Sequence, residues 1–299
     1  MLRLSCIPHY IGGFKMKEKN LINTLKNYNI DNIKTIRELD KNQYEILLNS
    51  NDKFILKTFS ENEKSLFEER FEKMKSLFDN NKFSPKFLYG KISEDENFLM
   101  WKQGNPVDEK SFELGEELGK FLKKYHNEFK NREDNWKRDF SHKIVLLLHN
   151  YYMSKHEGPK DYIILDYLTE NKYLVSDRNP TLLLGLEDVF NFNLDDEGRL
   201  SNIDLAFQHM ADPYFQFRNL NFLQSDDLDY VNGLIKGYFK DGSTILFFKT
   251  IAIYTIVEYL YDELEDIDNL NHERINEKMD RLLEMYDDFT DIYPNWYRK

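Results

Sequence analysis

The chain has 299 residues, 41% of them hydrophobic and 31% charged, and carries a formal net charge of -12. That is enough apolar material for one large domain or two lobes, each with its own core. The acidic balance leaves no chain-wide electrostatic footprint for nucleic acid or for an anionic membrane surface.

Cys6 is the only cysteine. It excludes an intramolecular disulfide and points to a reducing, cytoplasmic setting. The opening MLRLSCIPHYIGGFKMKEKN lacks the apolar core of a signal peptide. Met16 begins a more ordinary start, so residues 1–15 read as an upstream extension. Leu21, Ile22, Leu25 and Tyr28 recur at helical spacing and predict a short helix over 17–29. Three strands follow, over 33–39, 44–48 and 54–59, and Asn49-Ser50-Asn51-Asp52 forms the turn between the last two. An amphipathic helix carries Phe67, Phe71, Met74 and Phe78 on one face. Two more strands, near 86–92 and 98–102, lead to Gly104-Asn105-Pro106, which breaks the pattern.

From about residue 109 the texture becomes helical. Leu114, Leu118, Phe121 and Tyr125 form one apolar stripe, and 138–155 and 160–170 predict further helices. The stretch LLLGLEDVFNFNLDDEGRLSNIDLAF, residues 182–207, interrupts with strand signals and an Asp-Asp-Glu-Gly turn at 195–198. Helices follow over 228–240, 243–264 and 271–289. Lys249 and Glu258 interrupt the most apolar of them, so it reads as a core helix and not as a membrane span. The reading is an α+β chain: an N-terminal extension and short helix over 1–29, a small antiparallel sheet lobe with one helix over 30–103, and a large helical lobe with an embedded hairpin over 104–299.

Few residues carry chemistry. Lys57 lies in a strand, on the same face as Ile55 and Phe59 by the two-residue period. A lysine there needs an anion, either a nucleotide phosphate or a carboxylate of the following helix, unless it snorkels to water. Asp204, between Ile203 and Leu205, is a candidate Mg²⁺ ligand or a helix cap. Asn191 offers a neutral oxygen thirteen residues earlier. From Asn193 to Asp204 the spacing approaches that of a calcium loop, but strand signals precede it where such a loop needs an entering helix. No Walker-A segment, Rossmann glycine pattern, nucleophile elbow or His-Glu-x-x-His zinc motif is present.

The order of these features resembles the aminoglycoside phosphotransferase and choline kinase family, over roughly residues 30–290. Gly185, Asn191, the turn at Gly198, Ile203-Asp204 and Asp212-Pro213 fall in the family's order and spacing. The resemblance implies a bilobal protein-kinase-like fold and phosphoryl transfer from ATP with Mg²⁺. It implies that Lys57 grips the phosphates, that Met100 and Trp101 lead into the adenine hinge, and that Asn191 and Asp204 hold the metal. The chain departs from the family at one critical place. Leu184-Gly185-Leu186 stands where the family has His-Gly-Asp, so the proton acceptor is replaced by Leu186. The loop between the first two strands has no glycine, and Glu68, Glu69 and Glu72 compete for the place of the lysine's partner.

Three readings follow, the last being a structural kinase-like shell that binds no nucleotide. In the first the protein is catalytically impaired, possesses Mg²⁺-nucleotide binding, and acts on a ligand or protein partner. In the second it is an active kinase with Glu187 or Asp188 as a relocated base, acting on a hydroxyl of an aminoglycoside, amino alcohol or sugar-like acceptor. Acids such as Asp226, Asp227, Asp229 and those of 263–266 would draw a cationic acceptor, or simply form a solvated helix face.

Overall fold

A computed structural model describes residues 20–62, 83, 86–130, 135–176, 178–185, 189–201, 210–222, 227–240 and 244–297. Contacts divide the chain into two units. One runs to Val107 and includes Phe192–Asn202, and the other comprises Asp108–Asn191 and Ile203–Lys299. The hairpin within 182–207 therefore groups with the sheet, although it lies among helices in the sequence. The predicted helix carrying Phe67, Phe71, Met74 and Phe78 lies outside the described residues, as do Leu186, Glu187, Asp188 and Asp204.

The first unit is built on a five-stranded antiparallel sheet. Its strands are β1 (Ile33–Asp40), β2 (Gln43–Leu48), β3 (Lys53–Ser60), β4 (Phe87–Lys91) and β5 (Glu96–Lys102), in the spatial order β1-β2-β3-β5-β4. The predicted strands agree with these to within about two residues. Alternation sorts their side chains onto two faces. Ile36, Tyr44, Ile46, Leu56, Phe98 and Met100 form one buried cluster with Leu21 and Leu25. The two leucines come from a helix over 20–27, here α1. Ile55, Phe59, Leu99 and Trp101 occupy the opposite face. Burying each such side chain stabilises by about 1.5–3 kcal/mol. Asn42 and Asn51 adopt the left-handed conformation that the two tight hairpins need, at φ 65° and 70°. In the first turn asparagine thus supplies the positive φ that glycine often provides, while keeping a side chain.

β5 ends at Lys102, so the pattern breaks where Gly104-Asn105-Pro106 predicts. The chain then adds a short edge strand, β6 (Asn105–Pro106), which pairs with β8 (Asn193–Leu194) of the hairpin. Proline is tolerated there because an edge strand leaves half of its N–H positions unused.

The second unit is helical: α2 (Phe112–Glu128), α3 (Trp136–Ser154), α4 (Asp161–Asn171), α5 (Tyr173–Ser176), α6 (Leu228–Phe239), α7 (Ile245–Leu260) and α8 (His272–Tyr286). A two-stranded ladder, β7 (Thr181–Leu182) with β9 (Met210–Ala211), and a 3-10 segment over Pro213–Phe222 complete it. α7 is buried almost throughout, including Phe247, Phe248, Ile251 and Tyr254, which fits its reading as a core helix. Among the described residues no helix is long and apolar enough to cross a membrane.

α2 and α6 pack backbone against backbone. A Cβ at Gly115 or Gly119 would overlap the carbonyls of Tyr230 or Leu234, and one at Gly233 or Gly237 the carbonyls of Phe112 or Glu116. Each helix therefore carries a glycine pair at i, i+4 facing the other's backbone, an approach that Cα–H···O contacts favour. Gly237→Ala is expected to cost about 1–3 kcal/mol, because the overpacking outweighs the roughly 1 kcal/mol gained in helix propensity. Urea unfolding measures this, and a stabilised Gly237→Ala variant would contradict the close packing.

Candidate functional site

β3 is the central strand of the sheet, and Lys57 sits in its second half, half-buried. Its register partners are Gln43 on β2 and Leu99 on β5. The lysine thus lies on a strand flanked on both sides, among Ile55, Phe59, Leu99 and Trp101, as its two-residue spacing predicts.

Met100 and Trp101 part company. Adjacent strand residues point to opposite faces. The Met100 side chain is 3% exposed and lies in the cluster with α1, on the face away from Lys57. Its backbone is flanked by Leu56 on β3 and Leu88 on β4. Trp101 shares the Lys57 face. Its ring meets Phe87 edge-on at 5.9 Å, and its indole N–H donates to the Ser201 carbonyl at 2.8 Å.

That indole bond is one of several that hold the hairpin to the sheet unit. Lys102 Nζ lies 2.6 Å from Asp196 Oδ2 and 2.8 Å from Asp52 Oδ1, and the two carboxylates hold its ammonium pKa above the ordinary lysine value. Gly104 N donates to Ser201 Oγ at 2.7 Å, and Leu200 N to the Phe83 carbonyl at 3.2 Å. Between these contacts lies Gln103, which the sequence reading passes over. Its N–H donates to the Lys53 carbonyl, and its side-chain oxygen Oε1 is buried with no hydrogen-bond partner among the described residues. A buried acceptor left open is costly, so it marks a place where a donor belongs. The only signal in the sequence was its position directly after an apolar strand and before Gly104-Asn105-Pro106.

The hairpin turn is self-contained. Asp195 Oδ1 accepts from Glu197 N and Arg199 N, each at 2.9 Å, and Gly198 takes φ 77°. Asp195 is committed to its own turn and Glu197 is paired with Arg199, so the acids of the described part of a calcium-loop pattern are already engaged. Ser201 N donates to the Asn193 carbonyl at 2.9 Å, so the two stems run side by side. Asn191 is exposed in the bend just before the first stem. Among the described residues no group of three or more histidine, cysteine or carboxylate side chains could hold a metal ion.

In the second unit, the strand into Leu184-Gly185 is core. Leu182, Leu183 and Leu184 are buried, as are Val189 and Phe190, and the Tyr230 hydroxyl donates to the Val189 carbonyl at 2.6 Å. Asp212, at the Asp-Pro position, is fully buried. It accepts from Tyr254 Oη at 2.7 Å and from Tyr214 N at 2.8 Å, and it pairs with Arg178. Burial pushes its carboxyl up, and Arg178 and the two donors oppose that rise. The acids proposed to attract a cation are partly spent. Glu263 Oε1 lies 2.6 Å from Lys278 and 2.9 Å from Arg274, and Asp227 lies 3.6 Å from Lys110.

His126 is a buried histidine with Nδ1 2.9 Å from the Tyr238 hydroxyl. Its burial, aided by the charge of Lys123, pushes its pKa down to about 3. Because the folded value lies below the unfolded one, near 6.5, its contribution to stability is complete above pH 6.5 and is lost as pH falls toward 3. Wild type is expected to lose about 2 kcal/mol between pH 7.5 and 5.0 from this residue. His126→Gln should remove that share of the slope, and urea midpoints at the two pH values measure it. An unchanged slope in His126→Gln would contradict the assignment.

No family model and no curated relative matches the sequence. Solved structures do match. An aminoglycoside phosphotransferase from Alicyclobacillus acidocaldarius subsp. acidocaldarius DSM 446 aligns with a TM-score of 0.55 at 9% identity, over 96% of this chain and 94% of that one. The ADP-bound aminoglycoside phosphotransferase APH(2'')-Ib aligns at 0.50 and 15% identity, over 91% and 97%. The gentamicin complex of APH(2")-IIa aligns at 0.50 and 15% identity, over 97% and 100%. At such identities the likeness is one of fold. The chain has the kinase-like α+β fold of the aminoglycoside phosphotransferases across nearly its whole length.

Proposed function

We propose that the chain binds a Mg²⁺-nucleotide on the Lys57 face of its sheet unit and transfers the phosphoryl group poorly or not at all. The reading rests on one observation: Lys57 lies half-buried in the central strand of a kinase-like sheet, on an apolar face. An ammonium there suits a phosphate, which it would meet as a point charge. Trp101 walls the same face, and the open Oε1 of Gln103 suits a donor such as an exocyclic amino group. Met100 supports this arrangement from behind, as core.

Asn191 and Asp204 are assigned to the Mg²⁺, an amide oxygen and a carboxylate being the hard donors this ion takes. When bound, Mg²⁺-ATP supplies an electrophilic phosphorus and neutralises the charge that develops on its oxygens. What the chain supplies is position and charge, from Lys57, Asn191 and Asp204. What it lacks at position 186 is a group able to accept a proton, because leucine has none. The acceptor class remains that of the fold's small-molecule kinases, a hydroxyl on a cationic or sugar-like molecule.

Calorimetric titration with ATP tests the assignments. Lys57→Met is expected to weaken binding by about tenfold or more, the worth of a charge-assisted bond. Asp204→Asn should erase the gain that Mg²⁺ brings while leaving metal-free ATP binding intact. Equal affinities in wild type and Lys57→Met would overturn the reading.

A further inference from the structure

The second unit holds a cavity of about 400 Å³ whose lining includes none of Lys57, Met100, Trp101, Asn191 or Asp204. Lys123 and Lys130 come to it from the end of α2 and the segment just after, and Arg178 from the segment after α5. Tyr214, Tyr238 and Leu246 furnish its apolar walls. In a chain of net charge -12 this is an unusual concentration of cations.

The charges can be counted. Arg178 is held against Asp212 behind the wall, with its guanidinium 3.5 Å from the centre of the Tyr214 ring. Among the described residues neither lysine has a carboxylate partner, and no carboxylate lines the cavity. Lys123 Nζ lies 4.7 Å from the centre of the Tyr238 ring, a π face and not an anion. Among the described residues, three cations less one carboxylate leave two positive charges facing the space. Partial desolvation of its ammonium by the surrounding wall, and then the charges of Lys130 and Arg178, lower the pKa of Lys123, although the residue as a whole stays exposed. The amide groups of Asn127 and Asn179 stand at the same rim.

We propose that this cavity is a second ligand site, one that takes a phosphate monoester carrying an aromatic or aliphatic body. A phosphate monoester bears close to two negative charges at neutral pH, which matches the two lysines that no carboxylate among the described residues compensates. The tyrosine and leucine walls receive the body, as small-molecule sites commonly combine an apolar lining with a few polar groups.

Phenyl phosphate carries both features and serves as the probe. Melting temperatures of the full chain are recorded while it is titrated at constant ionic strength, in wild type, Lys57→Met and Lys123→Gln/Lys130→Gln. Both lysines are exposed, so the double variant keeps its fold, which its own melting transition checks. Saturable stabilisation is expected in wild type and in Lys57→Met, with half-saturation raised about tenfold or more in the double variant. The proposal is overturned by no saturable effect up to about 10 mM, by equal half-saturation in wild type and the double variant, or by loss of the effect in Lys57→Met. The last result would place the probe at the nucleotide site instead. The cavity proposal stands or falls independently of the nucleotide reading.

Discussion

Restoring aspartate at position 186 is expected to raise phosphoryl transfer from ATP by about 10²–10⁴-fold, the span that a positioned general base contributes. Leu182, Leu183 and Leu184 are core residues on one side of that position, and Val189 and Phe190 on the other. Tyr230 fixes the Val189 carbonyl by a 2.6 Å hydrogen bond. Only Leu186, Glu187 and Asp188 lie between Gly185 and Val189. The proposed reading is that leucine at 186 leaves the loop without its base, and the alternative is that Glu187 or Asp188 supplies it. Leu186→Asp puts the carboxylate back without altering the anchors. The measurement is ATP turnover against a panel of aminoglycosides, amino alcohols and sugars, in wild type, Leu186→Asp and Asp188→Asn. Gain in Leu186→Asp alone supports the lost base. Wild-type turnover that disappears in Asp188→Asn would contradict it and establish Asp188 as the base.

Arg178→Met is expected to destabilise the protein by about 3–5 kcal/mol, the cost of leaving a buried carboxylate without its cation. Asp212 is fully buried, while the Arg178 side chain is 15% exposed. The two halves of the pair are therefore unequal. Asp212→Asn still accepts from Tyr254 Oη and Tyr214 N, and it leaves behind an arginine that reaches solvent. Its cost should be clearly smaller. Arg178→Met/Asp212→Asn should recover most of the loss, since no uncompensated charge remains. Urea unfolding of the four proteins gives the coupling directly. Equal losses in the two single variants, adding in the double, would show that the pair is not the coupled buried unit described. The role is structural as well as electrostatic. Asp212 caps the 3-10 segment through Tyr214 N, and its own carbonyl accepts from Phe215 N at 2.8 Å. The Asp-Pro position that carried part of the family resemblance thus has a local reason to be there.

Much of the fold was legible because it rests on periodicity. The five strands and the core character of α7 follow from alternation and from continuous apolar runs. The position of Lys57 followed from the same alternation. Its corollary for Met100 was equally available, since residues adjacent to one another on a strand cannot both face one ligand. The hairpin's attachment to the sheet was not legible. Trp101 and Ser201 are a hundred positions apart, and nothing local to either marks the other. Arg178 and Asp212 were hidden for the same reason. Gln103 shows a third limit: an unsatisfied acceptor exists only relative to a finished structure. The glycine pairs at 115/119 and 233/237 lay open at i, i+4 spacing, but small residues at that spacing name no partner until two helices meet.

The most direct test of the central claim is the melting temperature of the wild-type chain with ATP, with and without Mg²⁺. Binding to the folded state alone stabilises it by about 2.7 kcal/mol at one hundred times Kd. The account predicts a saturable rise with ATP that is larger when Mg²⁺ is present. No change at millimolar ATP, with or without the metal, would contradict it.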